Sequence, residues 1–181
     1  MSADALEQYL NAMGIIGCNV NPYLPALDDL GFCWQDMTAL LDRQGLFTAK
    51  VYRRRTVYLS PEVYHLLRQL RARRPMPPDA AALHAVLGGS PPLETGELKR
   101  LSRLDGRTYA KAFDFLMEHL YITAIRSGRR LNENWSTLLY GTAEAWEALA
   151  PPARFCDDPA AALRAILGRT LPETEVAKLL R

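Results

Sequence analysis

Three histidines and three cysteines are the chain's usual metal- and acid–base-capable side chains, and none stands at a spacing such chemistry uses. His65 and His84 fall inside apolar helical patterns and His119 precedes Leu120-Tyr121. Isolated in this way, each reads as a structural or solvent-facing histidine rather than a ligand or base. Cys18, Cys33 and Cys156 are odd in number and widely spaced. They fit half-buried thiols in a reducing cytosol, not a disulfide framework or a Cys-x-x-Cys metal site. Asp28 and Asp29 are adjacent, so their side chains diverge, which is poor geometry for shared acid–base work. Asp157-Asp158-Pro159 reads as the start of a helix, and no phosphate-binding glycine loop, His-Glu-x-x-His or Gly-x-Ser-x-Gly occurs. The expectation is a protein that is not an enzyme and holds no cofactor or metal.

Binding chemistry is better represented. The net charge of +2 over 181 residues hides a strong asymmetry. Residues 1–49 carry one Arg against six Asp/Glu, residues 50–74 eight Lys/Arg against Glu62, and Gly96–Arg130 eight against four. Local net charges of −5, +7 and +4 place the cations on two neighbouring segments, the pattern of a nucleic-acid surface. Arg53, Arg54 and Arg55 form a triplet able to grip phosphates or, equally, to be a solvated turn. Arg126, Arg129 and Arg130 lie near a predicted hairpin tip, while Arg107, Thr108 and Lys111 open a predicted helix. Asp114 and Glu118 continue that helix's outer face and would repel a phosphate backbone. Trp34, Trp135 and Trp146 read as core or interface anchors rather than base-stacking platforms.

The elements that must position these residues follow from periodicity. Thr95 is a candidate cap for the short helix GELKRLSR, with Leu98 and Leu101 on one side. Asp105-Gly106 breaks it, and Asp105 can cap RTYAKAFDFLMEHL, where Tyr109, Ala112, Phe113, Leu116 and Leu120 make one buried stripe. YITAIRSGRR and WSTLLYG then form a hairpin. Helix, turn, longer helix and basic hairpin, preceded by DAAALHAVLG, is the order of a winged helix, whose second helix can enter a major groove while the wing touches the backbone.

Upstream, residues 3–13 give an amphipathic helix with Leu6, Leu10 and Met13 inward, followed by an irregular stretch through Gly31. FCWQDMTALLDRQG is a second helix with Met37, Leu40 and Leu41 buried, and LFTAKVYRRRTVYLS a hairpin bent near the Arg triplet. Ser60-Pro61-Glu62 opens a third helix, burying Val63, Leu66, Leu67 and Leu70 while Arg68 and Arg71 point away. Two small helices end the chain. The expected class is α+β, mainly α with small β-hairpins: an N-terminal body over 1–74, a winged helix-turn-helix domain over 75–150, and C-terminal helices over 151–181 packing back on the body. RRPMPPD is the linker, and no internal repeat is visible. No apolar run approaches the ~18 residues of a spanning helix and the N-terminus lacks a secretory pattern, so a cytoplasmic protein with no membrane partner is expected.

The succession VYLSPEVYHLL, GELKRL, AFDFLMEHLYITAI and YGTAEAWE resembles the AlkZ-related proteins, bacterial relatives of the AlkZ/YcaQ DNA glycosylases that excise bulky alkylated purines and unhook crosslinks. The resemblance covers roughly residues 45–150 and implies a winged helix on an α-helical body. Those enzymes position a water with Gln-x-Gln or Gln-x-Asp. Here the residues two beyond Gln8, Gln35, Gln44 and Gln69 are Leu10, Met37, Leu46 and Arg71, so the resemblance carries architecture without the reaction. The expected function is non-enzymatic, duplex DNA-binding through phosphates, in damage response or regulation. A protein-docking winged helix is the alternative, and a divergent glycosylase the least favoured.

Overall fold

The computed structural model describes Met1–Arg181 and is of mixed α+β class, as the patterning predicts. Helix α1 (Ala3–Met13) is capped by the Ser2 hydroxyl, which accepts from Ala5 N–H, and it buries Leu6 and Leu10. It ends at Gly14 in the left-handed region (φ 80°), where any Cβ would lie 2.6 Å from Ile166 and 2.8 Å from Val63. That glycine turns the chain into β1 (Ile15–Gly17), a buried strand inside the stretch read from sequence as irregular. After a single 3₁₀ turn at Asp28–Leu30 come α2 (Trp34–Asp42), β2 (Phe47–Tyr52), β3 (Arg55–Leu59) and α3 (Pro61–Leu70).

The linker then leads to α4 (Pro78–Gly88), β4 (Leu93–Glu94), α5 (Thr95–Ser102), α6 (Gly106–Glu118), β5 (Ile122–Arg130), β6 (Ser136–Thr142) and α7 (Ala143–Glu147). Helix α4 therefore repeats α1, β4 repeats β1, and the hairpin β5–β6 repeats β2–β3. The two antiparallel sheets have equivalent strand orders, β1-β3-β2 and β4-β6-β5. The N-terminal body is thus itself built in winged-helix order, and the chain folds as two such units in tandem. Helices α8 (Pro159–Leu167) and α9 (Glu173–Leu179) pack back on the first unit, burying Leu163, Leu167, Val176 and Leu179 beside α3. No helix is long and apolar enough to cross a membrane.

Sequence equivalences surface once the register is known. Phe47 of β2 stands opposite Leu59 and Thr123 of β5 opposite Gly141, in each case the residue before the next helix's cap. Each third strand runs into a helix capped by a hydroxyl: Ser60 accepts from Val63 N–H, Thr142 from Ala145 N–H. Aromatic residues follow at the same distance, Tyr64 and Trp146, and these two meet with Phe47 in the centre of the molecule. Phe47 stacks on Tyr64 at 3.9 Å, and Trp146 stands edge-on to both at 5.0 Å while its indole N–H donates to the Leu46 carbonyl. The shared core between the units is therefore built from corresponding positions.

Where local readings differ, packing is the reason. Thr95 is the first residue of α5 and Glu94 its cap, because residues 93–94 are drawn into a strand beside β6. Leu98 is buried but Leu101 stays 39% exposed, so α5 turns only one leucine inward. On α6, Ala112 and Leu116 are buried, as is Leu120 just beyond its end, whereas Tyr109 and Phe113 stack on each other at its half-exposed edge. Arg68 does not point away: it lies 3.7 Å from Glu147 and is largely covered, and Arg71 is half-buried, with burial holding its guanidinium below its ordinary pKa.

Candidate nucleic-acid interface

Helix α6 is the second helix of the helix-turn-helix in the second unit. Asp105 caps it as predicted, its Oδ1 accepting from Arg107 and Thr108 N–H at 2.9 and 3.1 Å. Its Oδ2 accepts from the Thr108 hydroxyl at 2.6 Å, and these bonds hold the Asp105 carboxyl below its usual range, the Thr108 hydroxyl contributing most. Thr108 is therefore occupied in starting the helix. Arg107 and Lys111, one turn apart, are exposed, and their side chains make no hydrogen bond or ion pair.

Each of the two acids that would repel phosphate has a cation of the first hairpin beside it. Lys50 of β2 lies 2.5 Å from Asp114, and Arg54 lies 3.7 Å from Glu118. The first hairpin thus lies over the C-terminal half of α6 and leaves its first two turns open. A groove of about 530 Å³ remains between them, lined by Arg54, Thr108, Lys111, Asp114, Phe115 and Glu118, with Asp79 and Ala80 of α4. It brings Arg54 onto the face of Lys111, a relation the sequence left open.

The triplet is split. Arg53 and Arg54 form the two-residue turn between Tyr52 and Arg55, both in the left-handed region (φ 52° and 55°), as a type I′ hairpin requires. Arg53 donates to Glu175 of α9 at 3.0 Å and lies 3.9 Å over the Tyr23 ring, so it pins the C-terminal helices instead of facing outward. Arg55 lies 5.5 Å from the same ring.

The wing is β5–β6, and it docks on α2 of the first unit. Asp42 accepts from Ser127 N–H and hydroxyl at 2.6 and 2.7 Å, the Trp34 indole donates to Ser136 Oγ at 3.1 Å, and Gln44 donates to the Ile125 carbonyl at 3.1 Å. Helix α2, acidic and covered in this way, is not a groove-reading helix. On the wing itself Arg126 and Arg129 are exposed with no side-chain partner, whereas Arg130 donates to the carbonyls of Asn132 and Glu133 and shapes the loop.

Sequence reasoning missed the reciprocity of this docking. Edge strand β2 meets edge strand β5, and the buried Thr123 hydroxyl accepts from Thr48 N–H at 2.9 Å and donates to the Thr48 carbonyl at 3.0 Å. No repeat in the sequence marks it, because the position in the first unit that corresponds to Thr123 is Phe47. No group of three or more His, Cys, Asp or Glu side chains could hold a metal. Among the histidines, burial pushes His84 and His119 down, and His65 rests against the Pro151 carbonyl at 3.1 Å. Cys33 is exposed rather than half-buried, its thiol 3.2 Å from the Asp36 carboxylate.

Compared with known proteins, the chain matches no family model and no curated sequence.

Proposed function

We propose that the protein binds duplex DNA without catalysis, through the second winged-helix unit alone. One observation carries this reading. Arg107 and Lys111 on the open turns of α6, with Arg126 and Arg129 on the adjoining wing, are exposed and unpaired, while the acids of the same helix are paired with Lys50 and Arg54. Cations without internal partners are free to replace the counterions of a phosphate backbone. Phosphate contact dominates the reading because α6 presents few side chains able to read base edges. The resemblance to AlkZ-related proteins agrees with a DNA ligand, possession of the reaction being set aside for want of the Gln-x-[Gln/Asp] pair. Gln35, Gln44 and Gln69 instead donate to backbone carbonyls at 2.9, 3.1 and 3.3 Å.

The test is the salt dependence of duplex binding by Arg126→Ala/Arg129→Ala beside the unaltered protein. Each lost phosphate contact removes about 0.9 from the slope of log affinity against log salt, so the double variant loses about 2 and binds all sequences more weakly. Its melting curve stays in place, since both side chains stand in solvent. Unchanged affinity at low salt refutes the proposal.

A second reading, a protein-docking module, rests on a different observation. Within this molecule both winged-helix faces already serve as protein docking surfaces, the wing on α2 and the first hairpin on α6. It takes first place if duplex binding fails the salt test.

A further inference from the structure

The wing carries a feature that phosphate binding leaves unused. Trp135 closes the loop between β5 and β6 with 53% of its surface in solvent, and Leu131, bonded to its carbonyl across the loop mouth, is 56% exposed. An indole this open is normally mobile, yet the loop that carries this one is tied down from three directions. Asn132 Oδ1 accepts from Asn134 and Trp135 N–H at 2.9 and 3.0 Å, Arg130 grips the carbonyls of Asn132 and Glu133, and Gln35 reaches across from α2 to the Glu133 carbonyl at 2.9 Å. The ring packs against Trp34 at 4.9 Å, and Trp34 is itself fixed by its bond to Ser136. A half-exposed indole is thus left open to solvent on the loop that follows β5, the strand that carries the unpaired Arg126 and Arg129.

We propose that Trp135 is a stacking platform for an unpaired base, so that the preferred ligand is a duplex carrying a single-stranded arm rather than an uninterrupted duplex. The inference rests on the phosphate-binding reading above. Bases within a duplex have no free face, whereas an unpaired base offers one to any aromatic ring, whatever its identity. Arg126 and Arg129 on the strand leading to the loop supply the accompanying phosphate contacts, and Glu133 is the only acid in the loop. That local charge balance fits a polyanion better than a protein surface. Because the loop is already ordered by Asn132, Arg130 and Gln35, stacking immobilises little that was free before.

The experiment measures binding of a blunt duplex and of the same duplex bearing a single-stranded arm, with total phosphate number held equal. The unaltered protein should prefer the armed duplex by about five- to a hundredfold, the span of one base–aromatic stack. Trp135→Ala should erase that preference and leave blunt-duplex affinity in place, and Trp135→Phe should retain most of it. Arg126→Ala/Arg129→Ala should weaken both ligands and keep the ratio. In the unaltered protein the armed duplex, not the blunt one, should quench tryptophan emission, a readout that needs no variant. A preference that survives Trp135→Ala, or equal loss on both duplexes, overturns the stacking role while phosphate binding stands. Unchanged affinities in the arginine variant with the preference lost in Trp135→Ala overturn the phosphate assignment instead.

Discussion

Replacing Thr123 by Val should be far more damaging than replacing Thr48 by Val, although the two threonines touch and both are buried. The Thr123 hydroxyl satisfies both the N–H and the carbonyl of Thr48 on the outer edge of β2, at 2.9 and 3.0 Å. Val fills a similar volume but orphans one buried donor and one buried acceptor. Each orphan costs about 1–3 kcal/mol, so a loss of about 2–6 kcal/mol follows. For a chain of this size that lowers the melting midpoint by about 4–24 °C, at about 2–4 °C per kcal/mol. The Thr48 hydroxyl, by contrast, is buried without a hydrogen-bond partner, and its own backbone groups remain bonded to Thr123 in Thr48→Val. That variant should melt at or above the unaltered protein. Paired urea and thermal unfolding of the two variants decides the matter. If Thr123→Val costs less than about 0.5 kcal/mol, or Thr48→Val costs as much as its counterpart, the edges of β2 and β5 are not joined as described.

Two further outcomes concern the hairpin turn and its anchor. Bonds from Lys178 at 2.6 Å and Arg53 at 3.0 Å hold the Glu175 carboxyl down at about 2. Because this folded pKa lies below the unfolded ~4.3, the stabilisation is present above about pH 4 and disappears as pH falls through about 2. Glu175→Gln should therefore melt earlier than the unaltered protein at neutral pH, with the gap closing over that window in melts run at stepped pH. Arg54→Gly should raise the melting midpoint by about 2–4 °C, since glycine relieves a left-handed residue worth about 1 kcal/mol, and the ion pair lost is a long, exposed one. A lower midpoint would show that Arg54 stabilises the groove by more than its ion pair with Glu118.

Pairing two winged-helix units inside one chain decides which surfaces are left for a ligand. Helix α2 is spent on the wing, to which Asp42, Gln35 and Trp34 are all bonded, so its acidity is compatible with its place. Helix α6 is only half spent. Lys50 and Arg54 take its later acids and leave Arg107 and Lys111 ahead of them uncovered. The same charges that argue against DNA when α6 is considered alone stop arguing against it once their partners are known.

The second unit was legible because its signals are local: the Asp105 cap, the Leu116 stripe and the run into Ile122 each depend on neighbours within a few residues. The first unit was not recognised as the same architecture because its signals are displaced. The strand β1 is three residues long and precedes a proline-containing excursion, and its turn uses two arginines where Asn-Gly would have announced a type I′ hairpin. The duplication survives as a capping hydroxyl, an acid two residues on and an aromatic two beyond that, Ser60-Glu62-Tyr64 and Thr142-Glu144-Trp146. These are the positions where the units touch or turn, so the contact between units preserved what the separate surfaces lost. The fates of Arg53, Arg54 and Arg130 were beyond any local pattern, since Glu175, Glu118 and the Asn132 carbonyl become their neighbours only through tertiary folding or the wing loop's closure. Arg126 and Arg129, by contrast, stayed free because they lie on the outer half of β5, beyond the buried run Ile122–Ile125 that packs on the rest of the molecule.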